Sequence, residues 1–328
     1  MRKRKARDHR CSYVVVVENG GEQGDLRELG NYLSTLGAAG LDVVILDASP
    51  CPLFERNACV LRWVGRHVAV CPEHCTPMGL LDPVRAAVNV AACEKVIVAM
   101  DDVRYTTEAI ARICEMLEAH EVVEPQDYLE PLPWWGSIEA GRILLHRGIE
   151  PQPDHGATFG FRRSALRTMR VVTTAGYADD PVRRLAASGA EVFGAGDVFV
   201  RRQPGTFDSW IEDRPRLAGD DFSFPFKSAF FFSIVPLLFL IGLFGGMRMA
   251  SVYAGVIAFA SIGLALNGRS GASAFFPLHT CLFAPLWVFE RSVSVYWALF
   301  RKIRGVETET SRVVLPDGAR GTKVASGE

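Results

Sequence analysis

The sequence lacks an excess of charge of either sign. Its 328 residues include 36 lysines and arginines against 37 aspartates and glutamates, a formal net charge of −1. Binding of nucleic acid through a global basic field needs a clear positive excess, so we expect no nucleic-acid partner. The first ten residues, MRKRKARDHR, are basic and lack the apolar stretch of a signal peptide. We therefore expect this end of the chain to lie in the cytoplasm.

The eight cysteines have no extracellular context that would favour disulfides. Several lie in apolar surroundings, at Cys93, Cys114 and Cys281. Without a signal peptide, we expect reduced and mostly buried thiols. A cluster of Cys71, His74 and Cys75 lacks the second ligand pair of a typical zinc site. A zinc site there is the alternative to loop residues with no special role.

Charge is missing altogether from two long segments. Ser228 to Met247 and Met249 to Gly268 each contain about twenty residues without a charged side chain, the length that crosses a bilayer core. Gly245 and Gly246 lie where the chain would turn between two transmembrane helices. The alternative is a helical hairpin buried in a soluble core, although such helices seldom lack charge for so long.

A third apolar segment, about 274–300, contains Glu290 and Arg291 and leads into the basic run Arg301 to Arg304. Two crossings would return that run to the cytoplasm, in agreement with the positive-inside rule. We therefore predict an amphipathic helix lying at the membrane interface. Its aromatic residues near the headgroups would be Trp287, Tyr296 and Trp297. A third crossing is the alternative, and the tail 305–328 is polar.

The first part of the chain reads as alternating strands and helices. Tyr13 to Val17, Leu41 to Asp47 and Lys95 to Asp102 are apolar runs typical of buried strands. Leucines at helical spacing indicate a helix over roughly 25–36, and another is expected over 107–119. Strand, helix and strand in this order predict βαβ units, and so an α/β domain with a mostly parallel sheet.

Acidic residues follow these strands. Glu18, Asp47, Asp101 and Asp102 all come at the carboxyl end of a predicted strand, the edge where ligands of parallel sheets bind. Carboxylates gathered there suit a divalent cation and a phosphorylated ligand. No glycine loop of the P-loop or dinucleotide type is present, which argues against an ATPase or a dehydrogenase. Solvated loop acids are the alternative reading.

Three motifs in sequence order extend this pattern: AMDDVRY at 99–105, ADDPVRRL at 178–185 and WIEDRPRLAGDDF at 210–222. Together they resemble glycosyltransferase family 2, inverting enzymes with a nucleotide-sugar-binding GT-A fold. The resemblance runs from about Tyr13 to Arg304. It is strongest to the membrane-attached branch that includes ceramide glucosyltransferase-like proteins.

The resemblance implies a donor site and a cation, Mn²⁺ or Mg²⁺. Asp102 would be the metal ligand, although the family pattern wants a further acid where this chain has Met100. The donor nucleotide sugar would be bound by Glu18, Asn19, Asp47, Asp101 and, at the diphosphate, Arg216. In the family's (Q/R)xxRW motif, Asp213 stands here at the usual glutamine and Leu217 replaces tryptophan.

The resemblance also implies a catalytic base and an acceptor site. Asp180, with Asp179 beside it, matches the acid that removes the proton of the acceptor hydroxyl. The alternative is a helix cap, since Pro181 suits a first helical position. Trp134 and Trp135 would bind the acceptor by stacking on a sugar ring or an acyl chain, or would simply belong to a core.

These expectations combine into one organisation. The predicted parts are a basic N-terminus (1–12), a GT-A domain (13–225), a membrane region (226–304) and a polar tail (305–328). We expect an inverting glycosyltransferase at the cytoplasmic face of a cell membrane, multi-pass, moving sugar from a nucleotide sugar, most naturally a UDP-sugar, to a lipid or lipid-linked acceptor. A catalytically weakened nucleotide-sugar-binding protein is the first alternative, and a polysaccharide synthase with a pore is the second.

Overall fold

The computed structural model of the chain describes residues 11–17, 26–71, 82–150, 158–167, 181–220, 222 and 225–304. The strands are β1 (Ser12–Val17), β2 (Asp42–Asp47), β3 (Arg66–Ala69), β4 (Lys95–Met100), β5 (Val103–Arg104), β6 (Val122–Leu129), β7 (Thr158–Arg162) and β8 (Val192–Arg202). The helices are α1 (Leu26–Ala38), α2 (Cys51–Leu61), α3 (Pro83–Val90), α4 (Thr107–Met116), α5 (Trp134–Ile149), α6 (Arg163–Arg167), α7 (Pro181–Ala187), α8 (Phe207–Asp220), α9 (Pro225–Gly268) and α10 (Ala284–Ile303). A 3-10 helix, Leu278–Phe283, precedes α10.

All eight described strands form one mixed sheet in the order β3-β2-β1-β4-β7-β6-β8-β5. Four strand pairs are parallel and three are antiparallel. The predicted α/β class is confirmed, and the three apolar runs read as strands form its parallel centre as β1, β2 and β4. The antiparallel pairs are formed by β7 with β4 and β6, and by β5 with β8.

Two apolar layers cover the sheet because the side chains of a strand alternate between its faces. On β1, Tyr13 and Val15 belong to the layer formed with α1 and α4, whereas Val14 belongs to the layer with α3 and α7. The leucines of α1 at helical spacing, among them Leu33, pack into the first layer. Full burial of such a side chain contributes about 1.5–3 kcal/mol to folding.

The long helix α9 is a hairpin of two helical halves. Gly246 interrupts it with φ 76° and ψ 170°, a conformation that glycine adopts without a steric penalty. Phe231 and Ala265 belong to one apolar cluster, yet a straight helix would separate them by about 50 Å. The chain therefore reverses at Gly246, where the sequence predicted a turn.

The hairpin carries the apolar surface expected of a membrane segment. Within the described part of the chain, Phe226–Gly268 is the one helix long and apolar enough to cross a membrane. The mean hydropathy of its most apolar stretch is 2.3, and 11% of that stretch is buried. This low burial distinguishes α9 from the core helices of soluble proteins, which share its composition but are mostly covered.

Helix α10 has an apolar outer face and a partly polar inner face. It begins at Ala284, about ten residues later than the predicted segment, because the 3-10 turn and Pro285 set its first turn. Arg291 is buried while Val293 is 62% exposed. Trp287 is 1% exposed, so it contacts neighbouring helices and not lipid, and its predicted depth near the headgroups stays a prediction. It packs edge-on against Phe231 of α9.

Helices α5 and α9 cross at backbone contact. A Cβ atom added to Gly148 would collide with the backbone of Leu264, and one added to Gly268 would collide with the backbone of Leu144. Asn267 Nδ2 donates to the carbonyl of Gly148 at 3.1 Å across the same crossing. The hairpin is thereby joined to a helix of the α/β domain through close packing and not only through the chain that links them.

The seven cysteines among the described residues are all free. Cys11 and Cys281 are buried, whereas Cys51 and Cys59 are exposed. The expectation of reduced thiols is consistent with this arrangement, but the expectation that most are buried is wrong. Cys51 and Cys59 lie on the solvent-exposed side of α2 and do not pack into the core.

Candidate active site

The carboxyl ends of β1, β2 and β4 lie at one edge of the sheet. In their parallel register Val17 pairs with Asp47 and Val16 pairs with Met100, so the three strands end level with one another. Neighbouring strands are about 4.8 Å apart, which places the ends of β2 and β4 about 10 Å apart. Asp101 and Asp102 follow β4 directly. The sequence prediction that these acids gather at one edge agrees with this register.

Asp102 is held by the end of β8. Its Oδ2 accepts a hydrogen bond from Arg202 Nε at 2.7 Å, and its carbonyl accepts from the Gln203 amide at 2.8 Å. Its Oδ1 is buried and has no hydrogen-bond partner. The charge of Asp102 beside it raises the pKa of Arg202, so this guanidinium stays protonated. One oxygen of Asp102 is thus fixed, and the other is buried without a hydrogen-bond partner.

A second carboxylate faces the same arginine. Asp127, near the end of β6, is 7% exposed, and its Oδ2 lies 3.7 Å from Arg202 Nη1. Burial raises the pKa of Asp127, and the charges of Arg202 and Arg142 oppose that rise. Neither Asp127 nor Arg202 was predicted as a site residue. Both residues lie near the ends of strands that contain further polar residues, and β6 and β8 were not recognised as strands.

The carboxylate of Asp47 is hydrogen-bonded to neighbouring residues of the α/β domain. Its Oδ1 accepts from the Ser49 amide at 2.9 Å, and its Oδ2 contacts Asn57 Nδ2 at 3.0 Å and His67 Nε2 at 2.9 Å. The residue is 1% exposed. These contacts join the end of β2 to α2 and β3. The predicted contact of Asp47 with a nucleotide stays a prediction, and the structure gives this carboxylate a structural role.

The residues at the end of β4 fit a hard divalent cation. The buried, unpartnered Oδ1 of Asp102 is an oxygen of the kind that Mg²⁺ and Mn²⁺ prefer. Among the described residues, no group of three or more histidines, cysteines, aspartates or glutamates is arranged to hold a metal by itself. A cation held here would therefore complete its coordination with water or with the oxygens of a diphosphate, as Mg²⁺ commonly does.

An aromatic platform lies where α5 and α8 begin. Trp134 is 58% exposed and meets Trp135 edge-on, with 5.8 Å between ring centroids. Phe207 contacts Trp134 at 5.1 Å and stacks on Trp210 at 5.9 Å. Thr206 caps α8 by accepting from the Ser209 amide at 3.2 Å, which fixes the direction of the helix. Phe207 and Trp210 extend the predicted tryptophan pair.

A buried ionic cluster supports this platform. Glu139 Oε1 accepts from Arg142 Nε at 2.5 Å, and Glu139 Oε2 lies 3.5 Å from Arg214 Nη1. Arg214 also lies over the Trp210 ring at 4.4 Å. Burial acts to raise the pKa of Glu139, but the charges of Arg142 and Arg214 outweigh it and lower that pKa to about 2. Helices α5 and α8 are thereby held together by charge beneath the aromatic rings.

Several predicted site residues lie outside the described part of the chain. These are Glu18, Asn19, Asp179 and Asp180, together with His74 and Cys75 of the cysteine cluster. Cys71 lies two residues beyond β3. Arg216 lies in α8, and its side chain is likewise outside the description. Their assignments stay predictions.

No protein-family model matches the chain, and no curated protein matches it. Among solved structures, it is similar to a mannosyltransferase, PcManGT from Pyrobaculum calidifontis, in complex with GDP-Man and Mn²⁺, at 16% identity and a TM-score of 0.48, over 88% of this chain and 87% of the other. It is also similar to S. aureus TarS 1-349 in complex with UDP-GlcNAc, at 12% identity and a TM-score of 0.41, over 90% and 92%. Glucosyl-3-phosphoglycerate synthase from Mycobacterium tuberculosis, with Mn²⁺ and UDP, aligns at 13% identity and a TM-score of 0.39, over 63% and 77%.

Proposed function

We propose that this chain is an inverting glycosyltransferase of the GT-A type, which moves a sugar from a nucleotide sugar to a lipid or lipid-linked acceptor at the cytoplasmic face of a membrane. The observation that carries the proposal is Asp102. It lies at the ligand-binding edge of a parallel sheet, with one oxygen fixed by Arg202 and the other buried without a partner. The sequence motifs that resemble glycosyltransferase family 2 supply the reaction.

In the proposed reaction an acceptor hydroxyl oxygen attacks the anomeric carbon of the donor. The bond from that carbon to the diphosphate oxygen breaks, and the nucleoside diphosphate leaves with the bonding electrons. Asp180 takes the hydroxyl proton, because a carboxylate within hydrogen-bond reach makes a weak nucleophile reactive. Arg216 binds the departing diphosphate through charge-assisted hydrogen bonds. Asp102, with Asp101 beside it, would hold the cation, which when bound offsets the charge of the diphosphate.

A lipid acceptor is proposed from the position of the hairpin. The aromatic platform of Trp134 and Phe207 lies at the start of α5 and α8, and α5 crosses α9 at its other end. The exposed apolar surface of α9 would bring a membrane close to that platform. An acceptor anchored in the membrane would then present its hydroxyl from the lipid side, along the tryptophan rings.

A nucleotide-sugar-binding protein without turnover is the second candidate. Two observations favour it. Arg202 already occupies Oδ2 of Asp102, and Leu217 replaces the tryptophan of the family motif. In this case the site would bind a donor, and the hairpin would attach the protein to a membrane partner. Turnover of a donor separates the two functions.

The test of the proposal is donor turnover by the full chain in detergent with native lipid extract and Mn²⁺ or Mg²⁺. We expect release of nucleoside diphosphate from one donor of a nucleotide-sugar panel. Asp180→Asn should lower the rate by about 10²–10⁴-fold while donor binding is retained, because only proton removal is lost. Asp208→Asn, an exposed acid in the first turn of α8, should leave the rate unchanged. Donor binding without release from any donor would favour the second candidate.

The exposed tryptophan of the platform gives a prediction for the acceptor. Trp134→Ala should raise the acceptor KM about tenfold and leave the donor KM unchanged, since it removes the proposed stacking surface for the acceptor and no group assigned to the diphosphate. Initial rates measured against lipid-extract concentration would check this. Trp63→Ala is a matched control, because Trp63 is 77% exposed on the turn after α2. Equal effects of the two substitutions would remove Trp134 from the acceptor site.

A further inference from the structure

An apolar groove lies where the hairpin begins and α10 ends. It encloses about 330 Å³ and is lined by Phe222, Phe232, Leu299, Lys302 and Ile303. The rings of Phe222 and Phe232 stack at 5.9 Å and form one wall. Lys302 Nζ lies 5.6 Å from the centroid of the Phe222 ring. The groove therefore joins an aromatic and aliphatic surface to a single cationic group.

The two helix ends that form the groove, the start of α9 and the end of α10, also carry a cluster of basic residues. The start of α9 and the end of α10 are adjacent, since Tyr296 Oη donates to the Phe232 carbonyl at 2.6 Å. The cations of these two ends are Lys227, Arg301, Lys302 and Arg304. A basic cluster at one end of a membrane-spanning helix is the sequence pattern that attracts anionic lipid headgroups.

The outer surface around the groove is apolar. Trp297 is 47% exposed, Phe300 is 50% exposed and Ile303 is 76% exposed, all on α10. Aromatic residues beside cations are typical of the boundary between acyl chains and headgroups. A ligand in the groove would thus meet apolar side chains along its length and a positive charge at one end. This is the complement of a phospholipid with an anionic headgroup.

The groove is too far from the aromatic platform to hold the reacting acceptor. Phe207 begins α8 and Phe222 follows its end, so the fourteen residues of the helix separate them by about 21 Å. A headgroup bound at Lys302 would lie at the opposite end of α8 from the aromatic platform, where the acceptor is proposed to bind. The occupant of the groove is therefore a lipid that remains bound and is not consumed.

We propose that this groove binds an anionic phospholipid of the bilayer, with an acyl chain against Phe222, Phe232 and Leu299 and the phosphate at Lys302. This inference rests on the membrane placement in the proposed function, but not on its catalytic part. The bound lipid would join the end of α8 to the hairpin, since Phe222 lies two residues after α8 and Phe232 lies in the first half of the hairpin.

The test is thermal unfolding of the full chain in neutral detergent with added phosphatidylglycerol or phosphatidylcholine, without donor. Phosphatidylglycerol should raise the apparent Tm in a saturable way, because a ligand of the folded state stabilises it, and phosphatidylcholine should not. Lys302→Gln should raise the half-saturating phosphatidylglycerol concentration about fivefold. Leu299→Trp, which fills the groove, should abolish the shift. Arg248→Gln, an exposed cation beside the turn of the hairpin, should behave like the unchanged chain.

Three results would overturn the inference: an equal shift with both lipids, no change in Lys302→Gln, or a shift that follows protein concentration and so indicates a second copy in the groove. Donor turnover is measured separately. A chain that shows the lipid-specific shift but turns over no donor supports the lipid site and counts against the glycosyltransferase. Turnover without any lipid-specific shift leads to the opposite conclusion.

Discussion

Replacing Asp102 with asparagine should lower donor turnover about a thousandfold without unfolding the protein. The substitution keeps the shape of the side chain but removes the negative charge that would bind a cation and, through it, the diphosphate. Stability should change little, because Oδ1 of Asp102 is already buried without a partner and Arg202 keeps Asp127 within 3.7 Å. The measurements are nucleoside diphosphate release against Mn²⁺ concentration and the apparent Tm of the same preparation.

A matched control for this substitution lies on β8. Asp197→Asn removes an exposed acid of the same strand that ends in Arg202, and should leave turnover at the level of the unchanged chain. If Asp102→Asn keeps more than a tenth of the turnover at saturating Mn²⁺, Asp102 is not the metal ligand. In that case Asp101 becomes the next residue to replace.

Replacing Glu139 with glutamine, unlike the substitution at Asp102, should cause a large loss of stability. The change leaves Arg142 and Arg214 without their shared anion in a part of the protein where Glu139 is 17% exposed. Removing one member of a buried ion pair costs about 3–5 kcal/mol, because the remaining charge stays buried. For a domain of this size, 3 kcal/mol corresponds to a fall in Tm of about 6–12 °C. Thermal unfolding in detergent at pH 7 measures it.

The pH dependence of stability provides an independent check on Glu139. The folded state lowers its pKa from 4.5 to about 2, so its stabilising contribution is complete above about pH 4.5 and is lost as the pH falls towards 2. The Tm of the unchanged chain should therefore fall in this window. The Tm of Glu139→Gln should fall less there, and the difference between the two should narrow with acidification.

The surface pair Arg112–Glu115 is the control for this prediction. It has the same three-residue spacing on a helix as Glu139 and Arg142, but its side chains are 55% and 66% exposed. Exposed pairs contribute little, so Glu115→Gln should shift the Tm by a small fraction of the effect at Glu139. Equal shifts in the two variants would mean that burial does not strengthen the Glu139 cluster.

The parallel centre of the fold could be predicted because its strands carry their own signal. Val14 to Val17 are β-branched without interruption, and a strand buried on both faces needs such a run. Strand β8 gives no comparable signal, since Arg201 and Arg202 end it and its apolar residues alternate irregularly. Its place in the sheet is set by pairing with β6. The paired residues Val122 and Val192 are 70 positions apart in the chain, so local sequence reasoning cannot find this pairing.

For the candidate site, the sequence identifies acids but not what surrounds them. Asp47 and Asp102 look alike as acids at strand ends, yet Asp47 is closed by three contacts and Asp102 keeps an oxygen without a partner. The difference comes from α2 and β3 on one side and β8 on the other. An aspartate followed by proline can likewise be a helix cap, a charged partner, or both. Asp82, which precedes Pro83, caps α3 and also pairs with Arg184 at 3.2 Å, and Asp180 precedes Pro181 in the same way.

The glycine crossing of α5 and α9 fixes the position of the hairpin relative to the α/β domain. Because Gly148 and Gly268 bring the two backbones into contact, the helix that starts at Trp134 cannot tilt without moving the hairpin. In the proposed function, the donor site would then stay at a constant distance from the bilayer surface. Acceptors would be selected by how far their reactive group protrudes from the lipid surface, and so by headgroup length as well as by headgroup chemistry.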